Sequence, residues 1–220
     1  MKEIKETVKH GGQFIVKYED KSIFLASKIV AGLAWPTEEK DGYFCVLGDS
    51  IREKIVPEVE ARPVEVLVEE EHALLPALFS GLAEQVKKTN CTTIYAQFNP
   101  AVVNKVGFDG TNKSFVLAFN DFKKKRYSLA LLSLQPALIT DWLVGCLTVR
   151  KWQKEGAIKI SHDSIMYGQL KGMVTNDRKR TEQDRFPAMT ALICAMTPFI
   201  NVNVSYGLGL RAVIQAKYAW

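Results

Sequence analysis

The chain has 220 residues, 47% apolar and 24% charged, with a formal net charge of +5. This balance supports one large buried core and argues against intrinsic disorder. No apolar stretch runs for the ~18 residues that a membrane helix requires without a charge or a breaker, and residues 1–9 alternate charged and apolar side chains instead of presenting an apolar signal core. The expectation is a single cytoplasmic domain over residues 1–220, with 201–220 a C-terminal extension of unassigned structure and no membrane contact.

In chain order, Gln13 to Tyr18 and Ser22 to Ala26 are two apolar runs joined by the polar turn Glu19-Asp20-Lys21, which predicts an opening hairpin. A longer run, Lys28 to Trp35, stops at Pro36. The turn ending in Asp41-Gly42 leads into Tyr43 to Leu47, rich in aromatic and β-branched residues, so an antiparallel partner strand is expected. Val64, Val66 and Val68 at period two predict another strand. From about Ala73 the period becomes four through Leu74, Leu78, Leu82 and Val86. Lys87, Lys88 and Asn90 suit the C-terminus of that helix, and Pro76 is tolerable only in its first turn.

Thr92 to Phe98 reads as a buried strand stopped by Asn99-Pro100, and Phe115 to Phe119 and Leu129 to Leu134 are further apolar runs. Pro136 is expected to open a long helix over Ala137 to Glu155, ended by Gly156. Ala157 to Ile160 reads as a short strand and Ser164 to Met173 as a helix. Val174 to Thr181 is a charged loop, and Arg185 to Met196 is a strongly apolar helix behind the acidic group Glu182-Gln183-Asp184. Cys45, Cys91, Cys146 and Cys194 are widely spaced, lie in apolar runs and form no Cys-x-x-Cys pair. They are expected to be reduced, buried small residues.

Positive charge is clustered at Lys123-Lys124-Lys125-Arg126, at Arg150-Lys151 with Lys154, and at Arg178-Lys179-Arg180. Each cluster alone fits a solvated turn; three in one half of the chain favour an anionic partner that binds through counterion release. His72 and the His162-Asp163 pair could assist proton transfer, although lone histidines are more often satisfied surface groups. The tryptophans read as packing residues in preference to base-stacking platforms.

The segment from Gly156 to Met196, a strand, a helix containing Gln169-Leu170, a basic loop and then Gln183-Asp184-Arg185-Phe186-Pro187-Ala188-Met189-Thr190-Ala191-Leu192, resembles the closing section of the nuclease domain of the large terminase subunit of tailed phages. The resemblance implies an α/β, ribonuclease-H-like fold: a central mixed sheet that starts as an antiparallel β-meander, flanked by helices. It also implies that Asp184, at the head of the final helix, is the last catalytic carboxylate. The pair Ile29 to Trp35 and Tyr43 to Gly48 resembles the first two strands of that domain, where the family has Gly-hydrophobic-Asp; here Gly32-Leu33-Ala34 puts alanine in the place of the first metal-binding Asp. The strand Thr92 to Phe98 resembles the one whose end supplies another carboxylate, and here that end reads Gln97-Phe98-Asn99.

Such nucleases hold two divalent cations, Mg2+ or Mn2+, with carboxylates, one cation generating hydroxide and the other stabilising the leaving oxygen. Alanine and glutamine cannot supply that charge. The carboxylates left to act are Asp184 and Glu70 as catalytic groups, and Asp184, Glu69 and Asp49 as metal ligands. Glu69, Glu70 and Glu71 could equally be acidic residues complementing a helix dipole, and Asp184 an N-terminal cap. Lys123, Lys124, Lys125, Arg126, Arg178, Lys179 and Arg180 are the expected DNA contacts. No Gly-x-x-x-x-Gly-Lys-Ser/Thr loop occurs, so an ATPase motor or portal protein would be a separate partner. The resemblance therefore implies a phage genome-packaging domain on duplex DNA with a reduced metal site, possessing hydrolase activity if the site works. The alternative is an inactive nuclease fold serving as a DNA-binding or assembly module.

Overall fold

In the computed structural model, residues 2–36, 40–50, 64–97, 111–137, 142–175 and 186–199 are described. The opening strands follow local turn chemistry. β1 (Ile4–His10) returns through Gly11 and Gly12, both at positive φ, into β2 (Gln13–Tyr18); this is the conformation a two-residue hairpin turn demands. The Asp20 carboxylate accepts from the Ser22 backbone at 2.9 Å and shapes the next turn. β3 (Ile23–Ala34) then runs through both apolar stretches predicted as separate, with a bulge between Ala26 and Lys28 where they join.

β4 (Gly42–Ser50) and β5 (Val64–His72) complete an antiparallel meander. Helix α1 (Leu75–Thr89) follows, with Asn90 in the left-handed region closing it. It carries the chain across to β6 (Thr93–Ala96), which lies parallel to the second half of β3. Helix α2 (Thr111–Lys124) and a short 3-10 turn (Tyr127–Leu129) lead to β7 (Ser133–Pro136), parallel to β6. Helix α3 (Trp142–Lys154), the two-residue strand β8 (Ile158–Lys159) parallel to β5, helix α4 (Ile165–Thr175) and helix α5 (Pro187–Ala195) complete the described chain. A meander followed by alternating helices and parallel strands, with the sheet order β1-β2-β3-β4-β5-β8 and β6 and β7 branching from β3, is the ribonuclease-H-like arrangement anticipated above.

The sheet separates two cores. On one face Leu78, Phe79 and Leu82 of α1 and Phe119 of α2 meet Ala31, Leu33, Phe44 and Val46. On the other, α3, α4 and α5 bring Cys146, Val149, Met166, Leu170 and the whole of α5 against Val30, Ala34, Tyr43, Cys45 and Leu47. Covered on both sides, β3 and β4 are continuously apolar in their centres. All four cysteines are free and buried.

Two expectations need correction. Pro136 ends β7 instead of opening a helix, and α3 begins at Trp142; a proline that closes an edge strand needs no N–H, so the residue serves there as well as in a helix first turn. Glu69, Glu70 and Glu71 do not lie at a helix start. They belong to β5, paired with Cys45, Phe44 and Tyr43 respectively, because the β4 partner continues and holds the chain extended. Residues 201–220 lie outside the described residues.

α5 has no room to spare where it crosses β3. A Cβ placed on Gly32 would sit 1.9 Å from the Ala191 carbonyl oxygen and 2.7 Å from the Ala195 nitrogen. Gly168, on the open side of α4, has nothing within 4 Å. Gly32→Ala is therefore expected to lower stability by at least ~2 kcal/mol, through overpacking against a backbone that cannot rotate away, whereas Gly168→Ala should raise it by ~0.5–1 kcal/mol. Urea denaturation midpoints of the two variants check both signs; equal midpoints would refute the close approach.

Candidate functional site

Two parallel neighbours define the place where the resemblance expects carboxylates. Ala31, Gly32 and Leu33 of β3 pair with Ile94, Tyr95 and Ala96 of β6, so Ala34 and Gln97 follow at adjacent strand ends. The Trp35 indole Nε1 donates to the Gln97 carbonyl at 3.2 Å, and its ring stacks on Phe115 of α2 with centroids 5.3 Å apart. These contacts tie the two strand ends together. Ala34 is buried among α5 residues including Met189, Ala191 and Ala195. Burial pushes the Cys194 thiol of α5 up to about 12, opposed in part by its hydrogen bond with the Gln97 backbone, which places α5 directly over this end of β6.

The strand ends thus carry a methyl group, an amide and a covering apolar helix. Divalent cations need hard, charged oxygen donors. The described residues at this place do not fit a two-cation site.

Nor do the remaining carboxylates converge. Glu69 points into the α4–α5 side, where its Oε2 accepts from the Tyr43 hydroxyl and, at 3.4 Å, from the Met166 backbone N–H at the start of α4. Burial, then the hydrogen bond to Glu69 and after it the Glu69 charge, drives the Tyr43 phenol far above its ordinary range. Glu70, one residue on, points to the opposite face, as alternation along a strand requires. There Gln85 of α1 donates to it at 2.8 Å, and the His72 Nε2 lies 2.9 Å away. His72 also stacks on Phe44. The sheet itself therefore lies between Glu69 and Glu70.

Asp49 sits four residues beyond Cys45, the partner of Glu69, or ~13 Å along β4 at ~3.3 Å per residue. It accepts from the Ser27 hydroxyl at the β3 bulge, at 2.7 Å. Among the described residues no group of three His, Cys, Asp or Glu side chains is placed to hold a metal ion. Asp184 and the basic residues Arg178, Lys179 and Arg180 lie outside the described residues. His162 is exposed and packs edge-on against the Tyr167 ring at 4.4 Å.

The basic cluster after α2 is described throughout. Lys123 Nζ donates to the Leu132 carbonyl at 2.8 Å, Lys124 lies 3.5 Å from Asp121, and the Arg126 guanidinium sits 3.7 Å from the Phe122 ring centroid. Lys124, Lys125 and Arg126 are exposed. The sequence shows the charges plainly, and the available signal for Tyr127, the next residue and 100% exposed, was that Phe122 and Tyr127 bracket the basic run.

No protein-family model and no curated protein matches the chain. Among solved structures it is similar to the Holliday junction resolvase of fowlpox virus, at 8% identity and a TM-score of 0.32, over 81% of this chain and 97% of that one.

The Tyr43–Glu69 pair gives two expected outcomes. Tyr43→Phe leaves a half-buried carboxylate short of its best donor and should reduce stability by ~1–3 kcal/mol, read from the shift in urea midpoint. The pH dependence follows from groups held neutral in the fold: Tyr43 far above its usual value, and Tyr18, Cys91 and Cys194 each raised to about 12, all chiefly by burial. The unfolded chain releases these protons near ordinary values, so it binds fewer protons than the folded chain above pH ~9, and stability falls as pH rises from there toward 12. A midpoint that stays level between pH 8 and 11 would contradict this assignment.

Proposed function

We propose that this chain is a duplex-DNA-binding module on a ribonuclease-H-like fold, a nuclease architecture used for binding or assembly and not for cleavage. The observation that carries the reading is the pair of strand ends at Ala34 and Gln97, neutral and covered by α5. DNA is the partner because Lys124, Lys125 and Arg126 form an exposed cationic end to α2, suited to neutralising backbone phosphates. The resemblance to terminase nuclease domains suggests phage genome packaging as the setting, beside a separately encoded ATPase motor or portal protein.

A cleaving enzyme would require Asp184 to complete a Mg2+ or Mn2+ site with Glu69 or Asp49. The separation of those two side chains speaks against it, and Glu70 could join them only through the sheet.

The test has two arms. Fluorescence anisotropy with a labelled duplex at two salt concentrations should give salt-sensitive binding. Replacing Lys124, Lys125 and Arg126 with glutamine should flatten the slope of log affinity against log salt by roughly 2–3. In a supercoiled-plasmid assay with Mn2+ or Mg2+, wild type and Asp184→Ala should leave the plasmid equally intact. Metal-dependent nicking that disappears in Asp184→Ala would restore the nuclease reading, and salt-insensitive binding would remove the phosphate contacts.

A further inference from the structure

The end of α2 presents more than charge. After Lys124 the chain leaves the helix with Arg126 extended, then makes the 3-10 turn whose first residue is Tyr127. The turn is fixed from within: the Leu129 N–H donates to the Arg126 carbonyl at 3.0 Å, the Ala130 N–H to the Tyr127 carbonyl at 3.1 Å, and the Leu132 N–H to the Leu129 carbonyl at 3.0 Å. Leu129 and Leu132 are buried at 2% and 3% exposure and anchor it to the core. Two large apolar side chains nevertheless point outward, Tyr127 fully exposed and Leu131 86% exposed. Full exposure on a fixed turn leaves the Tyr127 ring accessible to a partner.

Chemistry around the ring indicates its occupant. Arg126 is held against the Phe122 ring and accompanies Tyr127 on the sequence side nearest α2, and its Nη1 also donates to the Phe122 carbonyl at 3.4 Å. Lys125 makes no hydrogen bond or ion pair with the described residues, and Lys124 has only the exposed Asp121 at 3.5 Å. Cations beside an open aromatic face suit a polyanion that carries planar rings of its own. In an intact duplex those rings are already stacked; in unpaired nucleotides they are free to stack on tyrosine.

We propose that Tyr127, which directly follows the exposed Lys124, Lys125 and Arg126 in the chain, stacks on an unpaired DNA base, so that the module recognises single-stranded gaps or ends within otherwise duplex DNA. This rests on the duplex-binding reading and narrows it. Charge holds the backbone, and the ring supplies the preference for unstacked bases.

The experiment compares a labelled intact duplex with the same duplex carrying a short thymidine gap, for wild type, Tyr127→Ala and Tyr127→Phe at one salt concentration. Wild type should bind the gapped DNA ~10-fold more tightly, the affinity ratio expected when one base stacks at ~1–3 kcal/mol. Tyr127→Ala should lose that preference while its affinity for intact duplex stays within twofold, and Tyr127→Phe should keep the preference. Equal wild-type affinity for the two DNAs, or an equal loss on both in Tyr127→Ala, overturns the stacking proposal and leaves duplex binding standing. Failure of wild type to bind either DNA removes the duplex-binding reading itself. Sedimentation without DNA completes the test: self-association abolished by Tyr127→Ala would assign the ring to a second copy of this chain and overturn the proposal.

Discussion

The bare Cα of Gly32 beneath the Ala191 carbonyl governs how this molecule is assembled. It lets α5 descend onto the centre of β3 until backbone meets backbone, with the small residues Ala191 and Ala195 at the crossing. Close packing of that kind leaves no space for water or ions. The same contact buries Ala34 and brings Cys194 to the Gln97 backbone, so Ala34 belongs to the hydrophobic core and the half-buried Gln97 lies at its edge.

Electrostatics elsewhere follows from that division. With the strand ends closed, the polar groups of β5 serve packing partners: Glu69 receives the Tyr43 hydroxyl and the first turn of α4, and Glu70 joins α1 through Gln85. Both are satisfied by donors of the neighbouring layer, which is what a partly buried carboxylate needs. The cationic surface lies instead at the end of α2, where Lys124, Lys125 and Arg126 are exposed beside Tyr127. The carboxylates that serve packing and the exposed cations are therefore carried by different elements of the same sheet-and-helix frame.

Much of the fold was legible in the sequence because its local signals agree. The turn at Glu19 to Lys21, Asp41-Gly42 before β4, the shift to period four in α1 and the uniformly apolar α5 each had one dominant reading. β1 escaped because Ile4 and Val8 are its only aliphatic residues among charged neighbours, although Gly11-Gly12 was a hairpin signal in plain view. Pro136 misled because its ring fits a strand end and a helix first turn equally well. The candidate site was legible only as residue types. Ala34 and Gln97 announced missing charge, but Glu69 and Glu70 fall on opposite faces only because the chain is still extended there, and the pairing of β5 with β4 that keeps it extended is a long-range contact that local pattern does not encode.

The central claim, that α5 is part of the core and not a cover over a working site, is tested most directly by native-state amide hydrogen exchange in increasing urea. The amides of α5 and of the centre of β3 are expected to exchange with the same free energy and the same urea dependence, both equal to those of global unfolding. Exchange of α5 through a separate, lower-energy opening while β3 stays protected would contradict it, since the face holding Ala34 and Gln97 would then be reachable in the folded protein.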